Sequence, residues 1–310
     1  MKRFTLKTLF LLTFLLVTML SSRAQKSAQK ELIESGIVKA KSGDFKEAIK
    51  DLDKAVALDS TEVEPYYNRG IVRSELKDYP GAIRDFNKVI FLKPAYPEPY
   101  YNRGLAKDYM KDYIGAIRDY NMAISLKADY FNAYHNSGLA KFDLGDFQEA
   151  IRDFTRAIEY KPDFTEAYYN RGLSRFNLND LPGAIRDFNE AIKLDTTQYE
   201  YFSSRGAAKA AGGQYEEAIG DFTIALSIKP DDINSRLNLG LAYLYLKRYQ
   251  QAVTLYNQMI DDNPTDAEAL VNRGVAWHYL DETTAACEDW KMASLLGSEK
   301  AKNYLLKFCE

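Results

Sequence analysis

Glycine returns every 34 residues along the chain, at Gly36, Gly70, Gly104, Gly138, Gly172, Gly206, Gly240 and Gly274. A period of this size, held through most of 310 residues, means that the fold is one small unit copied and stacked. One such unit cannot bury an apolar face alone, so neighbouring copies must supply the core. Counting each copy from seven residues before its glycine gives eight repeats, 29–62, 63–96, 97–130, 131–164, 165–198, 199–232, 233–266 and 267–300.

The copies align column by column. Twelve residues after each glycine stands an alanine (Ala48, Ala82, Ala116, Ala150, Ala184, Ala218, Ala252, Ala286). Four residues later comes a large side chain, Leu52, Phe86, Tyr120, Phe154, Phe188, Phe222, Tyr256 or Trp290. Apolar positions in both halves of each copy fall at three- and four-residue spacing, the helical period. Between the halves, Asp44, Asp78, Asp112, Asp146 and Asp180 can accept from the free amides that open a second helix. Glu47 and Glu149 add a capping-box pattern, and Pro80 and Pro182 fall in a first turn, where a missing N–H is harmless. Each copy therefore reads helix, turn, helix, with Pro94, Pro162, Pro230 and Pro264 marking exits to the next. Glycine and alanine columns let two helices approach closely, and the large column fills the space beside them.

The period, the order glycine, alanine, aromatic, proline, and segments such as YYNRGLAKDYMKDYIGAIRDYNMAISLK (100–127) resemble the tetratricopeptide repeat. The resemblance covers about nine-tenths of the chain. It implies an all-α, right-handed solenoid of eight helix-turn-helix repeats, with 301–310 as a C-terminal capping helix. Three columns depart from the family pattern. Tyr66, Tyr100, Tyr134 and Tyr168 stand for tryptophan, arginine replaces leucine before the glycine, and a basic residue replaces tyrosine three places after it.

The arginines have matching partners. Arg69, Arg103, Arg171, Arg205 and Arg273 are each followed sixteen residues on by Asp85, Asp119, Asp187, Asp221 and Asp289. In repeat 7 both members change together, to Leu239 and Leu255. A pair that switches jointly from charged to apolar reads as a contact between the two helices of one copy, and a partly buried ion pair explains the joint change, since losing one partner would strand a charge. Ser35 and Ser137 break the pattern, so Asp51 and Asp153 need other donors, for which Lys39 and Lys141 are available.

Ahead of the repeats, Lys2, Arg3 and Lys7 precede an apolar run from Leu9 to Leu20, and Ser22 and Ala24 are small residues before Gln25. This pattern predicts a cleaved secretory signal peptide, 1–24, a short tail, 25–28, and a periplasmic or secreted destination. An uncleaved signal acting as a membrane anchor is the alternative. Removal of 1–24 takes away Lys2, Arg3, Lys7 and Arg23 and moves the formal net charge from −3 to −7. That acidic balance disfavours nucleic acid and anionic membranes. No later segment is apolar enough to span a bilayer, so no membrane span is expected after signal removal. Export also makes a disulfide between Cys287 and Cys309 the expectation, with two buried free thiols as the alternative.

No catalytic constellation, phosphate loop or metal motif stands out. His135 and His278, the only histidines, lack ligand-type neighbours at helical spacing, so the chain is expected to be no enzyme and to need no metal or cofactor. Function then falls to the surface that stacking creates. In the resembling family the first helices line a concave groove, into which residues two, five, six, nine, twelve and thirteen of each copy point. Column six here carries Asn68, Asn102, Asn136, Asn170, Asn238 and Asn272, with Ser204 in repeat 6. An amide offers two donors and an acceptor, so such a ladder can bracket the backbone of an extended peptide; capping or solvation is the plainer reading. Beside it, Tyr67, Tyr101, His135 and Tyr169 are aromatic anchors for a partner or packing groups for the next helix, and Glu64, Glu98, Glu166 and Glu200 supply negative charge.

The expectation is therefore an exported scaffold that binds a peptide or protein segment. The alternatives are a structural homo-oligomer, using an apolar repeat 7 with Tyr245 and Leu246 exposed, and an accessory subunit of a secreted enzyme or envelope assembly. Ser203, Ser204, Gly212 and Gly213 make repeat 6 the expected soft joint.

Overall fold

The computed structural model describes residues 6–309, with side chains from residue 21 onward. Of the expected signal peptide, residues 1–5 and the side chains of 6–20 lie outside the described residues; the backbone from Leu6 belongs to the first helix. Every regular element among the described residues is a helix, and the protein is an all-α repeat solenoid. Among these residues no helix is long and apolar enough to cross a membrane.

The chain divides after Tyr160 into two compact units. The first holds α1 (Leu6–Lys41), α2 (Phe45–Leu58), α3 (Glu64–Glu75), α4 (Tyr79–Leu92), α5 (Pro97–Tyr109), α6 (Tyr113–Leu126), α7 (Phe131–Asp143) and α8 (Phe147–Tyr160). The second holds α9 (Thr165–Asn177), α10 (Leu181–Leu194), α11 (Tyr199–Ala211), α12 (Tyr215–Ile228), α13 (Ile233–Tyr245), α14 (Tyr249–Asp262), α15 (Ala267–Tyr279), α16 (Thr283–Leu295) and α17 (Glu299–Phe308). Within each unit consecutive helices pack on one another, and α17 covers α16. The division falls at the end of the second helix of repeat 4.

The columns explain the packing. The alanines twelve after each glycine are fully buried, as are Leu52, Phe86, Tyr120, Phe154, Phe188, Phe222 and Tyr256. Each large side chain lies against the glycine sixteen residues before it. A Cβ on Gly70 would stand 2.7 Å from Phe86 Cε1, and one on Gly240 would stand 2.4 Å from Tyr256 Cζ. Both are closer than real carbon contacts, so any side chain there would push the two helices apart.

The turn inside each repeat needs one residue in the left-handed region. Lys77, Lys111, Asn179, Lys247 and Asp281 have φ of 59–63°, and Gly43, Gly145 and Gly213 fill the same column at 78–84°. Gly213 therefore occupies the place where glycine is least strained, which removes one ground for calling repeat 6 soft. The caps also differ in part from expectation. Asp78, Asp112 and Asp180 accept from Gly81, Gly115 and Gly183 N–H at 2.9–3.0 Å. Asp44 makes no such bond. Glu47 and Glu149 turn instead to Lys50 and Arg152, since a cation one helical turn away competes well with a backbone amide.

The charged columns meet inside each repeat. Arg69 donates from Nε and Nη2 to the two Asp85 oxygens at 3.0 and 2.6 Å, and Arg73 adds a third bond at 2.7 Å. Arg171 and Asp187 repeat the fork at 2.9 and 2.7 Å, with Arg175 alongside; Arg103 with Asp119 and Arg205 with Asp221 do the same, joined by Lys107 and Lys209. Arg273 forks onto Asp289 at 2.8 and 2.6 Å. Asp51 takes Ser35 and Lys39, whose bonds hold its carboxyl below the usual range, and Asp153 takes Lys141. One contact had gone unread. The arginine fork also reaches the second helix of the preceding repeat, Arg69 to Asp53, Arg205 to Asn189 and Arg273 to Asn257, at 2.6–2.8 Å. These three arginines thus tie two repeats as well as two helices.

At the C-terminal end, Cys287 and Cys309 lie side by side with Cα atoms 5.8 Å apart, a spacing that fits a disulfide. Tyr304 and Phe308 of α17 lie 5.0 and 5.8 Å from Trp290, and the His278 ring lies 4.3 Å from Phe308, tilted by 39°.

Candidate functional site

In the first unit the first helices of successive repeats touch, α1 on α3, α3 on α5 and α5 on α7. This places the asparagine and tyrosine columns side by side. Asn102 donates its amide to the Tyr67 hydroxyl of the preceding repeat at 3.0 Å, and Asn136 donates to Tyr101 at 2.8 Å. The ladder is thus built of inter-repeat rungs, an amide from one copy on a phenol from the last. Asn68 donates instead to Glu64 C=O at 3.0 Å.

The tyrosines are half-buried in aromatic company. Tyr67 lies 5.5 Å from Tyr96 and 6.2 Å from Phe86; Tyr101 lies 4.9 Å from Tyr130 and 5.9 Å from Tyr120. Burial pushes the Tyr67 phenol up to about 12, and burial raises Tyr101 likewise, so both hydroxyls stay protonated. His135 in the same column is half-buried, 5.6 Å from Phe154. Glu64 is exposed and Glu98 half-buried.

The second unit keeps the rung with changed parts. Tyr169, 4.8 Å from Tyr201, meets the Ser204 hydroxyl at 3.3 Å, so serine replaces asparagine without loss of the tie. Asn170 and Asn238 are half-buried and Glu166 is exposed. In repeat 7 the tyrosine column holds Leu237, and the amide of Asn272 sits instead beside the buried Tyr256 hydroxyl, which belongs to the large-residue column. Neither group closes a hydrogen bond within ordinary range.

Three hollows line the same face of the first unit. One, of about 490 Å³, is walled by Glu64, Tyr67, Asn68 and Tyr96. The next, of about 340 Å³ and mostly apolar, is walled by Ile37, Phe45, Asn68, Ile71 and Glu75. The third, of about 330 Å³, is walled by Ser74, Glu75, Tyr79, Asn102, Leu105 and Tyr109. Sequence reading missed its rim. Tyr79 and Tyr109 stack face to face at 5.2 Å and 7°, and Tyr109 stays 71% exposed. The same pair recurs in the second unit as Tyr215 on Tyr245 and Tyr249 on Tyr279, at 4.5 and 4.9 Å. Tyrosines thirty residues apart in adjacent copies were the available signal. Leu246, expected to be exposed beside Tyr245, is half-buried at the C-cap of α13, where the chain turns back into the second helix.

Family models of the tetratricopeptide repeat match residues 36–77, 135–199 and 209–273, together more than half of the chain. The fold also resembles solved structures. MamA is 28% identical, with TM-score 0.51, over 52% of this chain and 94% of its own. The C-terminal part of a TPR repeat-containing protein from Cytophaga hutchinsonii is 20% identical, with TM-score 0.66, over 77% and 99%. YrrB, described as a TPR protein with an unusual peptide-binding site, is 21% identical, with TM-score 0.54, over 59% and 95%. No curated protein sequence matches. With its period, its paired helices and these matches, the chain belongs to the tetratricopeptide-repeat family.

Proposed function

We propose that this protein is an exported, non-enzymatic interaction scaffold whose first-helix face holds an extended segment of a protein partner. The tetratricopeptide-repeat fold itself suggests a protein–protein interaction scaffold. The observation that carries the finer reading is the set of asparagine–tyrosine rungs beside three hollows in the first unit. Each rung uses one amide N–H and fixes the side-chain orientation; the chemistry of the amide leaves a second donor and a carbonyl acceptor for a peptide backbone. Fixing those groups in advance lowers the ordering entropy of binding. YrrB, a structural neighbour, carries a peptide-binding site in its own right.

Export is proposed on the amino-terminal pattern, and the pairing of Cys287 with Cys309 suits an oxidising compartment. Edman sequencing of protein recovered from the cell envelope or medium should begin at Gln25. A start at Met1 would favour the anchored form.

The binding reading is tested by capture from an envelope fraction. Wild type is compared with a variant carrying Asn68, Asn102, Asn136 and Asn170 changed to alanine, and with Tyr67→Phe/Tyr101→Phe, which breaks the rungs but keeps the amides. Loss of a specific partner with the first variant and its retention with the second supports direct amide contact. Equal capture by all three rejects it.

A further inference from the structure

Repeat 4 lacks the arginine that five other copies use, and it keeps the aspartate that the arginine holds. In repeats 2, 3, 5, 6 and 8 the guanidinium forks onto the aspartate sixteen residues on, Nε to Oδ2 and Nη2 to Oδ1. In repeats 2, 3, 5 and 6 its central carbon lies 5.4–5.7 Å from the centroid of the ring three residues before it. A third arm reaches the preceding repeat, at Asp53, Asn87, Asn189 or Asn257. The same columns of repeat 4 hold Ser137 for the arginine, Asp153 for the aspartate, Tyr134 for the ring and Asn121 for the third partner.

The two helices of repeat 4 keep the register of the others. A Cβ on Gly138 would stand 2.7 Å from Phe154 Cε1, as one on Gly70 would from Phe86, so Ser137 and Asp153 take the places of Arg69 and Asp85. Lys141 donates to Asp153 Oδ2 at 2.6 Å, the contact that Lys107 and Lys209 make beside an arginine. Oδ1, the oxygen that takes Nη2 elsewhere, receives no hydrogen bond among the described residues. The Asp153 side chain is 14% exposed against 3–7% for the five forked aspartates, so the loss of the arginine uncovers it. Arg156, one turn along α8, is exposed and pairs with Glu159 at 2.7 Å, and Tyr134 stacks on Tyr160 at 5.8 Å. Ser137 is fully buried, and its hydroxyl has no hydrogen-bond partner among the described residues. Repeat 1 gives the contrast, since Ser35 in the same column donates to Asp51 at 2.7 Å. A buried hydroxyl without a partner is costly, and a ligand that pairs with it recovers that cost.

We propose that Asp153, Ser137 and Asn121 form a binding site for the guanidinium of an arginine side chain on a protein partner, in the place that the chain's own arginine fills in five other repeats. The guanidinium donates to Asp153 Oδ1, and the Ser137 hydroxyl and the Asn121 carbonyl accept from its remaining N–H groups, while Lys141 keeps Oδ2. Arginine is selected over lysine because a flat fork meets several separate acceptors at once and a point-like ammonium does not. The site lies where α7 packs on α6 and α8 and uses none of the asparagine–tyrosine rungs, so it stands apart from the peptide-groove reading.

The probe is Nα-acetyl-arginine methylamide, set against its citrulline counterpart, which keeps the shape and loses the charge. In a ligand-observed NMR titration of the full-length protein the arginine probe should bind about tenfold more tightly, the size of one charge-assisted hydrogen bond. Ser137→Arg returns a guanidinium from within the chain, so this variant should melt at a higher temperature than wild type and lose the preference. Asp153→Asn removes the acceptor and should lose it too, whereas Glu149→Gln, at an exposed carboxylate of the same helix, should keep it. Thermal melting verifies that each variant folds, and Asp153→Asn decides by itself where Ser137→Arg does not. Equal binding of the two probes by wild type overturns the site. A preference that survives Ser137→Arg and Asp153→Asn overturns it as well, because it then belongs to other surface carboxylates.

Discussion

Repeat 8 offers the cleanest test of what the arginine column does. Arg273 holds Asp289 through two bonds and reaches Asn257 with a third, and Asp289 is only 5% exposed. The position that supplies a second cation in repeat 2, Arg73, is Trp277 here, so Arg273→Leu leaves Asp289 buried without a cation. Breaking a buried pair from one side costs about 3–5 kcal/mol. Arg273 keeps some exposure, so the lower half of that range is expected. The double variant Arg273→Leu/Asp289→Leu copies the solution found in repeat 7 at Leu239 and Leu255. It should return to within about 1 kcal/mol of wild type, because an apolar pair of similar volume needs no desolvation. The corresponding single change in repeat 2, Arg69→Leu, should cost less, since Arg73 remains 2.7 Å from Asp85.

The assay is built into the chain. Its only two tryptophans, Trp277 and Trp290, both lie in repeat 8, and Trp290 is 1% exposed with its indole N–H donated to Val271 C=O. Tryptophan fluorescence during urea unfolding therefore reports this repeat locally, which matters because repeat arrays need not unfold as one unit. A double variant as unstable as the single, or an Arg273→Leu midpoint unchanged within error, would refute the idea that these columns are mutually dependent ion pairs.

Asp108→Asn should raise the melting temperature at pH 7. The folded state lifts the Asp108 carboxyl above its ordinary 3.8, so the ionised form weakens the fold increasingly as pH rises through the lifted value; the gain over wild type should vanish below about pH 3.8. Absence of any gain at pH 7 would show that the carboxylate is not strained. Gly213→Ala should cost about 1 kcal/mol through its φ of 78° alone, as a Cβ there meets nothing within 4 Å, whereas Gly240→Ala should cost more through collision with Tyr256. Urea midpoints of the two variants, read by circular dichroism, give the order. Loss of the Cys287–Cys309 bond in a Cys287→Ser/Cys309→Ser variant should loosen α17 by roughly 3 kcal/mol, visible in Trp290 fluorescence because Tyr304 and Phe308 lie over that ring. Alkylation of both cysteines in the native protein without reductant would contradict the pairing.

Whatever recurs inside one repeat was legible in the sequence. Glycine against the large residue and arginine opposite aspartate lie sixteen residues apart in copy after copy, and that regular offset is itself the contact. Contacts that cross from one repeat to the next were harder to see. The rung from Asn102 to Tyr67 and the reach from Arg273 to Asn257 join different columns of different copies, so neither column alone betrays its partner. The tyrosine stacks were missed for the same reason, since Tyr79 and Tyr109 sit in columns that look unrelated until the helices are placed. Local competition accounts for the caps. Glu47 has a backbone amide and a lysine within reach, and sequence alone does not say which wins.

Partnering separates the structural polar groups from those open to a ligand more sharply than burial does. Asp85 and Asp187 are nearly inaccessible, yet each is met by three donors from two cations, so nothing is left for a ligand to supply. Asp108 is less buried and meets the Asp143 charge and the Tyr120 hydroxyl instead. A fold that meets Asp85, Asp119, Asp187 and Asp221 with two cations each had the means to neutralise Asp108 as well. Lys107, on the same turn of α5, points to Asp119. Leaving that charge half-buried beside Asp143, with the Tyr120 hydroxyl as its donor, weakens the folded state at neutral pH.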